Sequence, residues 1–130
     1  MRLNKLFVYG TLRSSSIHTV MPAVALYMKK KNSGYVKARL FDTGEYPGAV
    51  NTGSTGKVYG EVIEIERSKL SFVLEALDEY EEIDSDDSRS LFRRERTDVH
   101  TTEGKTIKAW IYWYNKEVNG LKEIKSGNYK

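Results

Sequence analysis

Seven carboxylates fall between Asp78 and Asp87: Asp78, Glu79, Glu81, Glu82, Asp84, Asp86 and Asp87. They follow a stretch in which Leu70, Val73, Leu74, Leu77 and Tyr80 recur at helical spacing, so a helix is predicted over 70–80, with Ser68 as its cap. Acidic residues at the C-terminal end of a helix oppose its dipole. Solvation and the cations Arg89, Arg93, Arg94 and Arg96 just downstream account for most of such a run. Glu81 differs from the rest because it continues the apolar stripe from Leu77 and Leu74 at i+4 and i+7, whereas Glu79 and Glu82 project away from it. A carboxylate carried inward loses hydration, and like-charged neighbours act in the same direction. Both favour its neutral form and make it a better general base near neutral pH.

The second chemically legible feature is Leu6-Phe7-Val8-Tyr9-Gly10-Thr11-Leu12, an apolar run that reads as a buried strand opening into a loop. Loops leaving buried strands commonly hold ligands. Gly10 has no side chain to block close approach, so backbone N–H groups around it suit a carboxylate or a developing oxyanion, each donor being worth about 2.7–4 kcal/mol in comparable sites.

Other combinations carry less. Ser14, Ser15 and Ser16 lie close to His18, but a polar loop before a helix accounts for them, and no oriented triad is visible. His18 and His100 lack a second ligand at zinc spacing, so both read as structural or solvent-facing and no metal is expected. Tyr112, Trp113 and Tyr114 read as core and sheet surface, with Tyr112 and Tyr114 on one face and available to a ligand at the rim. Arg93 and Arg94 can pair with the acidic stretch or with a substrate carboxylate, and the structural pairing is the one expected.

These groups must be held by a chain of 130 residues, the usual size of one domain with one core. A helix is predicted from Val20 to Lys31, with Pro22 in its first turn and Asn32 and Gly34 ending it. Strands are predicted at Tyr35–Phe41, Val58–Ile65, Leu91–Thr101 and Thr106–Tyr114, the last two joined by a Glu103-Gly104 turn. The order implies an α+β fold with a mixed or mostly antiparallel, strongly curved sheet that can close into a small β-barrel. Residues 1–115 form the expected domain. The polar tail 116–130 is expected to be a short frayed helix or an extended, partly disordered end.

Composition bounds the class. Charged residues at 30% with nine Tyr and four Phe exclude the disordered class. The net charge of +3 is spread along the chain without a polybasic arm, so no nucleic-acid partner is implied. With no Cys there are no disulfides, thiolate metal sites or Cys nucleophile. No apolar run approaches a membrane span and no signal peptide is recognisable, so no membrane partner is implied and a cytoplasmic location is expected. Oligomeric state is left open.

Six segments then carry a resemblance: Val8-Tyr9-Gly10-Thr11-Leu12-Arg13, Gly44-Glu45-Tyr46-Pro47-Gly48-Ala49, Val58-Tyr59-Gly60-Glu61-Val62, Leu77-Asp78-Glu79-Tyr80-Glu81, Phe92-Arg93-Arg94 and Ala109-Trp110-Ile111-Tyr112-Trp113-Tyr114-Asn115. In this order they resemble the gamma-glutamylcyclotransferase-like, or AIG2-like, family. The resemblance implies a compact β-barrel with two flanking helices and release of 5-oxoproline from a small-molecule γ-glutamyl amine or peptide without a cofactor. It also implies that Tyr9, Gly10, Thr11 and Leu12 bind substrate and that Glu81 is the acid/base, the glutamate the helix stripe selects independently. Tyr114 joins these as a substrate-binding candidate, and leaving-group contacts are expected in the Asp42–Val50 loop and the tail. The chain departs from the family pattern at Glu82, where Gly is frequent, and at Phe92, where Tyr is frequent. The alternative reading is a non-catalytic module that holds an amino-acid-like small molecule in the same barrel.

Overall fold

The computed structural model describes residues 2–10, 17–44, 46–51, 56–81 and 90–129. The first strand, β1 (Lys5–Val8), shows why its sequence is apolar throughout instead of alternating. Leu6 and Val8 belong to an outer core with Ile17, Val24, Leu70, Val73, Leu74 and Leu77, whereas Phe7, with Tyr9 just beyond the strand, belongs to an inner core with Val36, Val58, Val62, Ile111 and Trp113. A strand covered on both faces needs apolar side chains on both.

The chain continues through α1 (Ile17–Val20), α2 (Pro22–Ala25), β2 (Met28–Lys37), β3 (Arg39–Asp42), β4 (Pro47–Val50), β5 (Lys57–Ile65), α3 (Leu70–Tyr80), β6 (Phe92–Thr101), β7 (Thr106–Tyr114) and β8 (Lys122–Glu123). Strands β1-β5-β2-β6-β7 close into a barrel around the inner core. Its hydrogen-bonded neighbours are antiparallel, except that β7 closes onto β1 in parallel, with Leu6 opposite Trp110. Strands β4-β3-β8 form a separate three-stranded sheet. The expected α+β barrel with flanking helices is therefore the architecture found.

Four local expectations change, the first being that the strand predicted at Tyr35–Phe41 is divided at Ala38 between β2 of the barrel and β3 of the second sheet. The helix predicted over Val20–Lys31 is instead two single turns, α1 and α2, followed by β2 from Met28. Val24, Tyr27 and Met28 fit a helical spacing, but pairing of Met28, Lys29 and Lys30 with Ile65, Glu64 and Ile63 of β5 overrides that local preference. The lysine run lies on the barrel surface, where Lys30 and Lys31 meet Glu61 and Glu64 at 3.6 and 3.8 Å.

Ser68 does not cap α3. It sits in a 3-10 turn, Arg67–Lys69, and its hydroxyl donates to Glu66 Oε2 at 2.9 Å. Tyr80 also leaves the predicted inward face and is 41% exposed. With Leu70 as reference and about 3.6 residues per turn, Tyr80 lies roughly 80° to one side of the stripe, Asp78 roughly 80° to the other, and Glu81 near its centre. Leu70, Val73, Leu74 and Leu77 are buried, each contributing about 1.5–3 kcal/mol, while an unfavourable charge at a helix end costs about 0.3–1 kcal/mol. Burial thus outweighs the acidic terminus and docks α3 on the barrel.

The tail takes the extended of its two expected forms and is tied down. Strand β8 pairs with β3, Arg39 grips Glu123 through two hydrogen bonds of 3.2 and 2.8 Å, and Tyr59 N–H donates to Gly127 O at 2.8 Å. Gly127 has φ +71, and a Cβ there would stand 1.8 Å from Lys57 O, so only glycine permits this approach.

Candidate functional site

Because β1 and β7 are parallel, both run out at the same end of the barrel, and β6, antiparallel to β7, begins there. Continuing the Leu6–Trp110 register by four residues brings Gly10 level with Tyr114, whose partner on β6 is Phe92. The β3–β4 hairpin closes against this end. A Cβ on Gly10 would lie 3.0 Å from Pro47 Cγ, and one on Gly48 would lie 2.8 Å from Tyr114 Cγ. The two missing side chains let the Pro47–Ala49 backbone approach β1 and β7 more closely than any larger residue allows. Tyr46, Phe92 and Tyr114 form the adjoining aromatic wall, with ring centroids 5.8 and 5.7 Å apart in succession.

Tyr9 joins the three strand ends. Its hydroxyl donates to the Tyr112 carbonyl at 2.6 Å and accepts the Ala49 N–H at 3.2 Å. Burial pushes this phenol far above its ordinary range; the Ala49 hydrogen bond acts against that shift and the Glu81 charge adds to it. Tyr9 is therefore a neutral, fully engaged hydroxyl that links β1, β4 and β7.

Glu81 ends α3, with its backbone N–H on Leu77 O at 2.9 Å. It is half-buried, between the exposed Glu79 and Tyr80 on one side and the apolar stripe on the other. Its charge is felt at both Tyr9 and Tyr112. Next to it, Asp78 receives Arg94 in a two-point pair, Nε to Oδ1 at 2.8 Å and Nη2 to Oδ2 at 3.1 Å, and also accepts the Tyr112 hydroxyl at 2.7 Å. The Arg94 guanidinium lies over the Trp110 ring, 4.6 Å from its centroid, and the Trp110 indole N–H donates to Leu3 O at 2.8 Å. Burial, followed by the Asp78 hydrogen bond, raises the Tyr112 phenol far above its ordinary range.

Of the residues selected from sequence, Tyr9, Gly10, Tyr114 and Glu81 stand on elements that converge at this barrel end; Thr11 and Leu12 lie outside the described residues. Also outside them are Ser14, Ser15, Ser16 and the acidic positions from Glu82 to Asp87. Sequence reasoning passed over Asp78 as one more member of a charge run and treated Tyr112 mainly as sheet surface. A signal was present in the i, i+3 spacing of Asp78 and Glu81 with arginines downstream. His18 is exposed, and His100 stacks on Tyr35 with centroids 5.0 Å apart. Among the described residues no three His, Cys, Asp or Glu side chains gather as metal ligands.

Comparison with known proteins gives a consistent result. The family model described as gamma-glutamyl cyclotransferase, AIG2-like, matches residues 6–130. The gamma-glutamylcyclotransferase family protein YtfP of Escherichia coli K12 is 32% identical over 127 residues, covering 96% of this chain and 95% of its own length. The corresponding protein of Citrobacter rodentium is 31% identical over 125 residues, covering 96% and 94%. The crystal structure of a mouse AIG2-like protein superposes with a TM-score of 0.74 at 24% identity, covering 100% of this chain and 90% of that one.

Proposed function

Given that the chain belongs to the gamma-glutamyl cyclotransferase, AIG2-like family, we propose that it cleaves a γ-glutamyl amine or peptide by cyclising the glutamyl part, with Glu81 as acid and base. The observation that carries this reading is the convergence at one barrel end of a half-buried carboxylate, the Tyr9-Gly10 strand end and a wall of aromatic rings.

The substrate brings its own nucleophile, an α-amine that is mostly protonated at neutral pH. Glu81 takes a proton from it. The amine nitrogen then attacks the γ-carbonyl carbon, forming the N–C bond of the five-membered ring and placing negative charge on the carbonyl oxygen. Backbone N–H groups around Gly10 suit that oxyanion or the substrate carboxylate. As the oxyanion collapses, the bond from the γ-carbon to the leaving nitrogen breaks, Glu81 returns its proton to that nitrogen and the ring nitrogen gives up its second hydrogen as a proton to solvent, so 5-oxoproline and a free amine leave. Because attack is intramolecular, the site mainly has to select the folded-back conformer, which removes much of the entropic barrier. Tyr46, Phe92 and Tyr114 supply an apolar surface against which the substrate chain folds.

The test is 5-oxoproline release from a panel of γ-glutamyl amino acids and γ-glutamyl amines, wild type against Glu81→Gln. Release by the wild type with at least a 100-fold loss in the variant is expected from the usual worth of a general acid–base. Unimpaired turnover in Glu81→Gln would sink the assignment. Absence of release from every substrate, with binding retained in calorimetry, would replace the enzyme by the binding module.

A further inference from the structure

Asp78 is not itself placed to take the reacting proton, because its two oxygens are held by three donors: Arg94 Nε, Arg94 Nη2 and the Tyr112 hydroxyl. Such an investment beside Glu81 needs a reason. An ion pair at the surface contributes little to stability, but this one is only 22% and 26% exposed, and its arginine is clamped between the carboxylate and the Trp110 ring. The Tyr112 hydroxyl that bridges to it lies within reach of the charges of Asp78, Arg94 and Glu81 together. The three charges therefore share one local field.

We propose that Asp78 and Arg94 form a positioning pair for Glu81, fixing the last turn of α3 against β6 and β7 and balancing the charge that the Glu81 carboxylate meets. This rests on the reading of Glu81 as the acid/base. With both partners present, the carboxylate of Asp78 and the guanidinium of Arg94 offset each other at Glu81. Removing one leaves the other uncompensated, so the two substitutions act with opposite sign. Among the described residues, the other ionisable groups whose electrostatics include the Glu81 charge are Tyr9 and, on β7, Tyr112, both held neutral by burial. Glu79 and Tyr80 on α3 point to solvent, Arg96 on β6 stands over the far side of Trp110, 5.1 Å from its ring centroid, and Tyr46 and Tyr114 pack on Phe92.

Asp78→Asn keeps an acceptor for Tyr112 and removes the negative charge, so Glu81 should ionise at lower pH. Arg94→Gln removes the positive charge, so Glu81 should ionise at higher pH. For a charge at i, i+3 from Glu81 in a half-solvated site, the Asp78→Asn displacement should be about 0.5–1 pH unit, and the Arg94→Gln displacement, from β6, should have the opposite sign. The experiment has two readouts. One is the acid limb of kcat/KM against pH, which should move down in Asp78→Asn and up in Arg94→Gln, any loss at neutral pH in Arg94→Gln falling on kcat more than on KM. The other needs no turnover: the carbon-13 NMR titration of the Glu81 side-chain carboxyl in the intact protein.

Opposite displacements in the NMR titration support the pair even if no γ-glutamyl substrate is turned over, an outcome that would overturn the proposed reaction alone. Glu81 midpoints within about 0.2 pH unit of wild type in the folded variants would overturn the positioning pair while leaving the reaction intact. Either variant suffices if the other does not fold, since each has its own predicted sign.

Discussion

Replacing Tyr9 by Phe removes one oxygen and should disturb three strands. That oxygen donates to Tyr112 O at 2.6 Å and accepts Ala49 N–H at 3.2 Å. Ala49 is 0% exposed and Tyr9 6%, so water cannot reach in without local opening. Each lost hydrogen bond costs about 0.5–1.5 kcal/mol net, and a buried donor left without a partner adds about 1–3 kcal/mol. The Tyr112 carbonyl has a second lone pair, so its share lies at the low end, and about 2–4 kcal/mol in total is expected. For a chain of 130 residues, unfolding entropy of about 2.1 cal/mol/K per residue converts this to a Tm loss of roughly 7–15 °C. The assay is urea unfolding followed by tryptophan fluorescence and by circular dichroism. Trp113 lies inside the barrel and Trp110 on its outer face, so both cores are sampled. Tyr112→Phe is the control: its hydroxyl donates to an Asp78 that keeps Arg94, and its loss should cost about 1–1.5 kcal/mol. If Tyr9→Phe lowers stability by less than about 0.5 kcal/mol at unchanged m-value, or by no more than Tyr112→Phe, the latch is refuted.

The buried phenols also predict a steep alkaline limit. Tyr9 and Tyr112 are raised above their ordinary 10.0 in the folded state, so their stabilising contribution is complete below pH 10 and is lost as pH rises above it. There the unfolded chain binds two fewer protons, and stability should fall by about 2.7 kcal/mol per pH unit, halved in Tyr9→Phe; equilibrium unfolding between pH 9 and 11.5 measures the slope. Gly48→Ala should place a methyl 2.8 Å from Tyr114 Cγ and 2.9 Å from its Cβ and cost about 1–3 kcal/mol by overpacking, while Gly48→Ala/Tyr114→Gly, which removes both atoms, should recover part of the loss at that contact. Thermal melts of the single and double variants decide whether β4 and β7 touch as described.

The features legible in sequence are those written locally. The period of Leu70, Val73, Leu74 and Leu77 specifies α3 and places Glu81 on its inward side, because a helix converts spacing into direction. The alternation in Val58–Ile65 and Thr106–Tyr114 similarly specifies two barrel strands. Where a local pattern admits two partners, it misleads. Val24, Tyr27 and Met28 match a helix, and only the free edge of β5 converts Met28–Lys31 into a strand. Tail residues 116–130 look unanchored until β3 and Lys57 are brought beside them. The distinction between Asp78 and the other carboxylates lies even further from the one-dimensional pattern: it depends on Arg94, 16 residues away, and Tyr112, 34 away. Sequence by itself therefore determined that Glu81 stands on the inward side of its helix end and that an apolar strand leads into Tyr9-Gly10, since both follow from periodicity. Only tertiary structure decided that Tyr9 is a latch and that Asp78 is a paired neighbour of Glu81, because hydrogen-bond partners are chosen by chain closure, and closure of this barrel joins the first strand to the last.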